Sequence, residues 1–316
     1  MFRLASLFAL LGAACSSNGV AGQVPTANNA TVAQRATVTV GGVEREYFVQ
    51  AGTGTSETRP VIVVLHGGTR SADDVLTRSS WPALAARNNA LLIVPNAIGG
   101  NWNDGRTVYM GDFDPSRVDD LGFLRRLVEI AVRDYGADRS RVYFAGASNG
   151  GYMSWRMACE AGDLVTAVAP LIATMPLDPQ RTCPGARPTP VIAFFGTEDP
   201  LVPYDGSAVS FRGRETEPRS SAADSTAFWA RLNGCSEEVR EERLPDISPE
   251  DETTVNRVTY EACPAGLEVI RYDVIGGGHN QPGSPVPPRF AALVGKGNQD
   301  IDSVELSWAF FQRHAR

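Results

Sequence analysis

The sequence predicts an α/β fold: a mostly parallel central sheet with helices on both faces, preceded by an antiparallel β-hairpin. Three observations lead there. Apolar runs alternate with helix-period segments, the pattern left by a parallel sheet with right-handed crossovers. The runs are short and continuously apolar, as in strands buried on both faces. Several of them end in glycine, where the chain leaves the carboxyl edge of the sheet and ligands usually bind.

Residues 36–40 and 43–50, joined by Gly41-Gly42, read as the hairpin, with glycines at a two-residue turn. Strands follow near 61–65, 90–94, 142–145, 165–172, 191–195 and 267–274. Leu121, Leu124, Leu127, Val128, Ala131, Val132 and Tyr135 recur at helical spacing. Asp119 stands where that helix needs a cap, so Asp119 and Asp120 are expected to cap it and complement its dipole, outside the chemistry. Residues 237–261 are acidic and contain Pro245 and Pro249, which reads as a solvated surface excursion between Cys235 and Cys263. Within it, residues 254–261 are expected to pair with the strand from Leu267. A last helical segment lies near 304–313.

At 316 residues and 43% hydrophobic composition, the chain suffices for one large domain, expected at 34–316. Met1-Phe2-Arg3 followed by an apolar core over 4–14, too short to span a bilayer, reads as an export signal. The signal and the start of a leader are placed at 1–22, and the flexible leader continues over 23–33. Leu11-Gly12-Ala13-Ala14-Cys15 resembles a lipoprotein cleavage site with Gly12 where leucine is expected, making Cys15 a candidate lipidation site and the one route to a membrane. The expected location is secreted or periplasmic, free or anchored to the envelope. A net charge of −7 argues against nucleic acid as a partner. The other four cysteines suggest two disulfides, with three connectivities open; Cys159–Cys183 and Cys235–Cys263 is the expected set. Three scattered histidines support no metal site. A monomer without a cofactor is expected.

The chemistry concentrates at Gly146-Ala147-Ser148-Asn149-Gly150, directly behind the apolar run Val142-Tyr143-Phe144-Ala145. A strand turning sharply into a helix forces its apex residue into strained angles and demands small neighbours, which exposes the Ser148 hydroxyl as a nucleophile. A chance match is the plain alternative, and the strand before and helix after weigh against it. Of the histidines, His314 reads as the end of the last helix. His66 closes the strand 61–65, well before the serine. His279 follows Gly276-Gly277-Gly278 on a loop with little bulk to block an imidazole, and is the candidate base. A third member should lie between them in sequence. The run Val191-Ile192-Ala193-Phe194-Phe195 ends in Gly196-Thr197-Glu198-Asp199-Pro200, where Glu198 and Asp199 both qualify and an ordinary solvated turn is the alternative. An oxyanion hole would use the backbone N–H of Asn149 and of Gly68, in His66-Gly67-Gly68-Thr69. His66, Trp102, Tyr152 and Tyr204 neighbour these loops and are candidates for lining the substrate cleft, with core packing as the alternative for each.

Taken together, Leu65-His66-Gly67-Gly68, residues 118–124, Gly146-Ala147-Ser148-Asn149-Gly150-Gly151, residues 196–204 and Gly276-Gly277-Gly278-His279 resemble the secreted polyhydroxybutyrate depolymerase and feruloyl esterase branch of the α/β-hydrolases. The resemblance spans residues 60 to about 283. It implies an α/β-hydrolase fold and a serine carboxylester hydrolase that needs no cofactor and takes small-molecule or oligomeric esters: short-chain, hydroxyalkanoate, feruloyl or acetyl. It also assigns the catalytic carboxylate to Asp199. Members often continue Gly-Gly-Gly-His with Thr-Trp-Pro-Gly; here His279-Asn280-Gln281-Pro282-Gly283 lacks that aromatic platform. With no binding module after the histidine loop, soluble esters are expected to be preferred over crystalline polyester. The rival readings are a serine peptidase on the same scaffold and a surface protein that has kept the scaffold without catalysis.

Overall fold

A computed structural model of the chain describes residues 32–52, 58–106, 113–211 and 213–316. The signal segment, Cys15 and all but the end of the leader lie outside the described residues. Ten strands form one sheet: β1 (Gln34–Val40), β2 (Val43–Gln50), β3 (Arg59–Leu65), β4 (Leu91–Pro95), β5 (Ala137–Ala147), β6 (Ala167–Leu171), β7 (Val191–Gly196), β10 (Val239–Arg243), β11 (Thr254–Tyr260) and β12 (Val269–Ile275). Their spatial order is β1-β2-β4-β3-β5-β6-β7-β12-β11-β10, and β8 (Ser210–Phe211) pairs with β9 (Arg214–Glu215) in a separate ribbon. The six central strands from β4 to β12 are mutually parallel, and antiparallel pairs flank them on both sides.

Alternation along the buried strands explains the layers. Val61, Val63 and Leu65 of β3 join a core with α3 (Asp120–Tyr135), α4 (Asn149–Glu160) and α6 (Ala222–Asn233). Ile62 and Val64 face the opposite core, shared with α1 (Ala72–Arg78), α2 (Trp81–Arg87) and α8 (Ser303–Phe311). A strand whose residues are all apolar therefore fills two cores by period-2 geometry. The short α5 (Pro179–Thr182) and α7 (Pro288–Val294) lie in the connections. The β1–β2 turn has positive φ at both Gly41 and Gly42, the geometry whose twist suits a two-residue hairpin.

Two expectations are corrected. Asp119 caps α3 by accepting the Gly122 N–H, but Asp120 does more than complement the dipole. It is fully buried, pairs with Arg45 at 2.5 Å and accepts the Asn103 N–H at 2.7 Å, tying the first hairpin to the segment over Asn149. Burial pushes its carboxyl above the ordinary value, and Arg45 opposes that shift. The acidic stretch over 237–261 is solvated along most of its length, as expected, but it is built into the sheet: β10 and β11 extend it, and β11 pairs with β12 as expected. All five residues of β10 are exposed, and its four charged side chains, Arg240, Glu241, Glu242 and Arg243, guard a sheet edge against further pairing.

The cysteines pair as Cys159–Cys183 and Cys235–Cys263, with Cα atoms 5.1 and 3.8 Å apart. The first ties the end of α4 to the segment before β7, the two elements that lead from Ser148 and into Asp199. In the chain-entropy account such a closure is worth about 3 kcal/mol.

Candidate active site

The carboxyl ends of β3, β5, β7 and β12 bring four loops to one edge of the sheet. Ser148 sits between β5 and α4 with φ 55° and ψ −120°, a strained conformation for any residue with a side chain. Backbone hydrogen bonds hold it there: its N–H donates to Leu171 O at 3.0 Å and its carbonyl accepts from Tyr152 N–H at 2.9 Å. The flanking glycines are required by proximity. A Cβ at Gly150 would lie 2.1 Å from Leu65 O, and one at Gly146 would lie 2.5 Å from the Gly150 carbonyl.

His279 leaves β12 on the glycine loop. Its Nδ1 is 2.7 Å from Asp199 Oδ2, and both side chains are largely buried. The other Asp199 oxygen accepts the N–H groups of Leu201 and Val202, each at 2.8 Å. With its carboxylate fixed on both oxygens, Asp199 can hold the imidazole in one orientation. Its neighbour Glu198 is exposed. The histidine loop is itself pinned: His279 N–H donates to Val294 O, and the Asn280 amide donates to the carbonyls of Val294, Gly295 and Lys296. Asn280 thereby clamps the histidine loop to residues 294–296.

The β3 loop comes close to the serine elbow. A Cβ at Gly67 would be 3.7 Å from Ser148 Cβ, and one at Gly68 would be 3.5 Å from Asn149 Cβ. Asn149 opens α4, so its backbone N–H lies at the positive end of the helix dipole. Its buried side chain accepts from Trp102 N–H at 2.7 Å and donates to Asp104 Oδ2 at 2.6 Å, which seals residues 102–104 over the helix start.

Three candidates for cleft lining do other work. Trp102 is fully buried and donates its indole N–H to His66 O at 2.9 Å. The Tyr204 ring is partly buried and packs edge-on to Phe195 against the core. His66 is buried, with Nδ1 directed to Gly67 O at 2.8 Å and Nε2 accepting the Ala97 N–H at 3.0 Å. Both ring nitrogens are thus occupied by backbone, and the imidazole serves as a strut for its loop. Tyr152 does line a cleft, between the guanidinium groups of Arg106 and Arg219. Sequence reasoning missed those two arginines and Thr174, because no spacing links positions 106, 174 and 219.

Burial pulls His66 down from 6.5 to about 4. Between those values the unfolded chain binds the proton and the folded chain does not, so stability is complete above pH 6.5 and is lost as the pH falls toward 4. The loss amounts to about 3 kcal/mol. In thermal melts across that range, Tm of the wild type should therefore fall more steeply than that of His66→Gln. Equal slopes would show that this ring is not the acid-sensitive group.

Among the described residues, no cluster of three or more His, Cys, Asp or Glu could hold a metal ion. No family model matches the chain. It is 30% identical over 295 residues to the inferred esterase NocK of Nocardia uniformis subsp. tsuyamanensis, an alignment covering 90% of this chain and 84% of that protein. It is 29% identical over 209 residues to feruloyl esterase B of Piromyces equi, covering 63% of this chain and 36% of that longer protein. Among solved structures, the acetyl xylan esterase from Aspergillus awamori superposes with a TM-score of 0.57 at 13% identity, over 85% of this chain and 94% of that one, a likeness of fold.

Proposed function

The chain belongs to the α/β-hydrolase esterases, in the branch that includes feruloyl esterases and polyhydroxybutyrate depolymerases, and from that premise we propose a secreted serine carboxylester hydrolase with Ser148 as nucleophile, His279 as base and Asp199 as orienting carboxylate. His279 takes the Ser148 proton through Nε2 as the hydroxyl attacks the ester carbonyl. Asp199 keeps the other ring proton on Nδ1 and stabilises the imidazolium that forms. The N–H groups of Gly68 and Asn149 receive the charge that develops on the carbonyl oxygen; one such donor is typically worth about 3–4 kcal/mol in the transition state. The alcohol leaves with the proton from His279, and water, activated by the same ring, resolves the acyl-enzyme.

The single observation that carries this reading is the 2.7 Å contact from His279 Nδ1 to a carboxylate fixed on both oxygens. Residues 34–316 form the catalytic unit. Export is part of the same reading, free or through an acylated Cys15, and the two disulfides support it. The substrates are short-chain, hydroxyalkanoate, feruloyl or acetyl esters. The experiment pairs p-nitrophenyl acetate with a peptide p-nitroanilide, then extends to methyl ferulate, acetylated xylan and hydroxybutyrate oligomers. The expected outcome is ester turnover at least about 10²-fold above anilide turnover, the scale of two or three kcal/mol in the barrier. Anilide turnover equal to ester turnover would favour a peptidase, and turnover of neither would favour a scaffold without catalysis.

A further inference from the structure

The proposed oxyanion donors sit on different loops, Gly68 after β3 and Asn149 at the start of α4, and one segment is bonded to both. Residues 101–104 reach the first loop through Trp102, whose indole N–H donates to the His66 carbonyl at 2.9 Å. Gly68 passes so close to this segment that a Cβ on it would lie 2.8 Å from Asn101 Oδ1. The second loop is reached through the Asn149 side chain. Its Oδ1 accepts the Trp102 N–H at 2.7 Å and its Nδ2 donates to the Trp102 carbonyl at 3.2 Å. That is the two-bond exchange by which paired residues of antiparallel strands are held together.

Oxyanion stabilisation asks only for the backbone N–H of Asn149. Its side chain is nevertheless buried in a closed circuit around the serine. Nδ2 also donates to Asp104 Oδ2 at 2.6 Å, and that carboxylate is sealed from solvent. Arg106 reaches the same oxygen with Nε at 2.8 Å and a terminal nitrogen at 2.7 Å. The Arg106 backbone N–H holds the other oxygen at 3.1 Å. The Arg106 guanidinium lies over the Tyr152 ring, 4.0 Å from its centroid, and the Tyr152 N–H donates to the Ser148 carbonyl at 2.9 Å. From the outer side, Arg156 of α4 donates to the Asn103 carbonyl at 2.6 Å and Asp120 of α3 accepts the Asn103 N–H at 2.7 Å. A hydrogen bond to a carboxylate is about twice as strong as one between neutral groups, so the Asp104 link is the firmest that the Asn149 side chain makes. Placement counts at this edge, because a shift of about 1 Å in a reacting geometry can cost about 10²-fold in rate.

We infer that Asp104 is a positioning residue: acting through the Asn149 side chain, it sets the spacing of the Asn149 and Gly68 N–H groups and so the fit of the oxyanion hole to the transition state. This rests on the catalytic reading above. Asp104→Ala and Asn149→Ala both keep the two N–H donors in the chain, so a loss of rate in either is one of placement. Rates are taken per site titrated to completion with a fluorophosphonate, which counts folded, competent enzyme alone. The oxyanion forms in acylation and again in deacylation, so kcat and kcat/KM for p-nitrophenyl acetate should fall together. Each variant should lose at least about tenfold, short of the 10²–10³-fold of an oxyanion donor removed outright. Affinity for phenylboronic acid, whose tetrahedral serine adduct mimics the intermediate, should weaken by a similar factor. The double variant should lose no more than about twofold beyond the more damaging single change, because the two side chains act as one unit. Asp104→Asn, which keeps an acceptor for Asn149 Nδ2, should retain more activity than Asp104→Ala. Per-site rates of both alanine variants within about twofold of the wild type overturn the inference. A loss of rate with unchanged boronic acid affinity overturns it too, as do losses that multiply in the double variant. If Asp104→Ala folds too poorly to titrate, Asn149→Ala, which leaves the Asp104–Arg106 pair intact, decides by the same rate and affinity limits. The catalytic reading is read out separately: p-nitrophenyl acetate turnover that is absent in the wild type, or survives Ser148→Ala, overturns that reading and this inference with it.

Discussion

Ser148→Ala should lower kcat on a soluble ester by about 10⁶-fold, the loss seen when the nucleophile of a triad is removed. The substitution deletes one oxygen and touches little else. The hydrogen bonds that hold the residue run through its backbone, to Leu171 and Tyr152, and survive in alanine. The strained φ of 55° survives too, because alanine also carries a Cβ. Stability should therefore stay within about 0.5 kcal/mol of the wild type, as for changes that disturb no packing or buried network. Steady-state kinetics and a thermal melt of one preparation check both halves. Full activity would remove Ser148 from the chemistry, and a collapsed melt would show a structural serine instead.

Asp199→Asn should lower turnover by about 10⁴-fold with the fold intact. One amide oxygen can still accept from Leu201 and Val202, so the loop after β7 keeps its anchor. The amide NH2 then faces His279 Nδ1 and can only donate, which forces the ring into the tautomer with its proton on Nε2. That nitrogen can no longer take a proton from Ser148. Glu198→Gln should change kcat by less than about twofold, since Glu198 is exposed and makes its backbone contact to Gly277 O through its own N–H. Kinetics on the two variants side by side decide the assignment, and a reversed order of effects would move the catalytic role to Glu198.

Period and punctuation made the fold and the ends of its strands legible. Continuous apolar runs named β3, β5 and β7, and the glycines after them named the loops, because a backbone that passes 2.1 Å from a would-be Cβ leaves no other residue. Chain position left Glu198 and Asp199 equivalent; burial separates them, and burial is a property of the folded loop. β10 was unreadable as a strand because it is exposed on both faces and carries no apolar alternation. For His66 and Trp102 the sequence left cleft lining and packing open for a related reason. A residue at a strand end beside a glycine turn can point to the ligand or back into the loop, and the sequence has the same letters in both cases. Here the carbonyls and N–H groups of the loops absorb both side chains. The Arg106, Thr174 and Arg219 cluster was beyond reach, since three distant segments build it and none has a local pattern.

The central claim is that Ser148 is the nucleophile, and covalent labelling tests it most directly. The protein is treated with a fluorophosphonate ester, digested, and its peptides are mapped by mass. The expected result is one stoichiometric adduct on the peptide that contains Ser148, absent from Ser148→Ala and greatly slowed in Asp199→Asn. Stoichiometric labelling at another residue, or labelling that survives Ser148→Ala at full strength, would contradict the account.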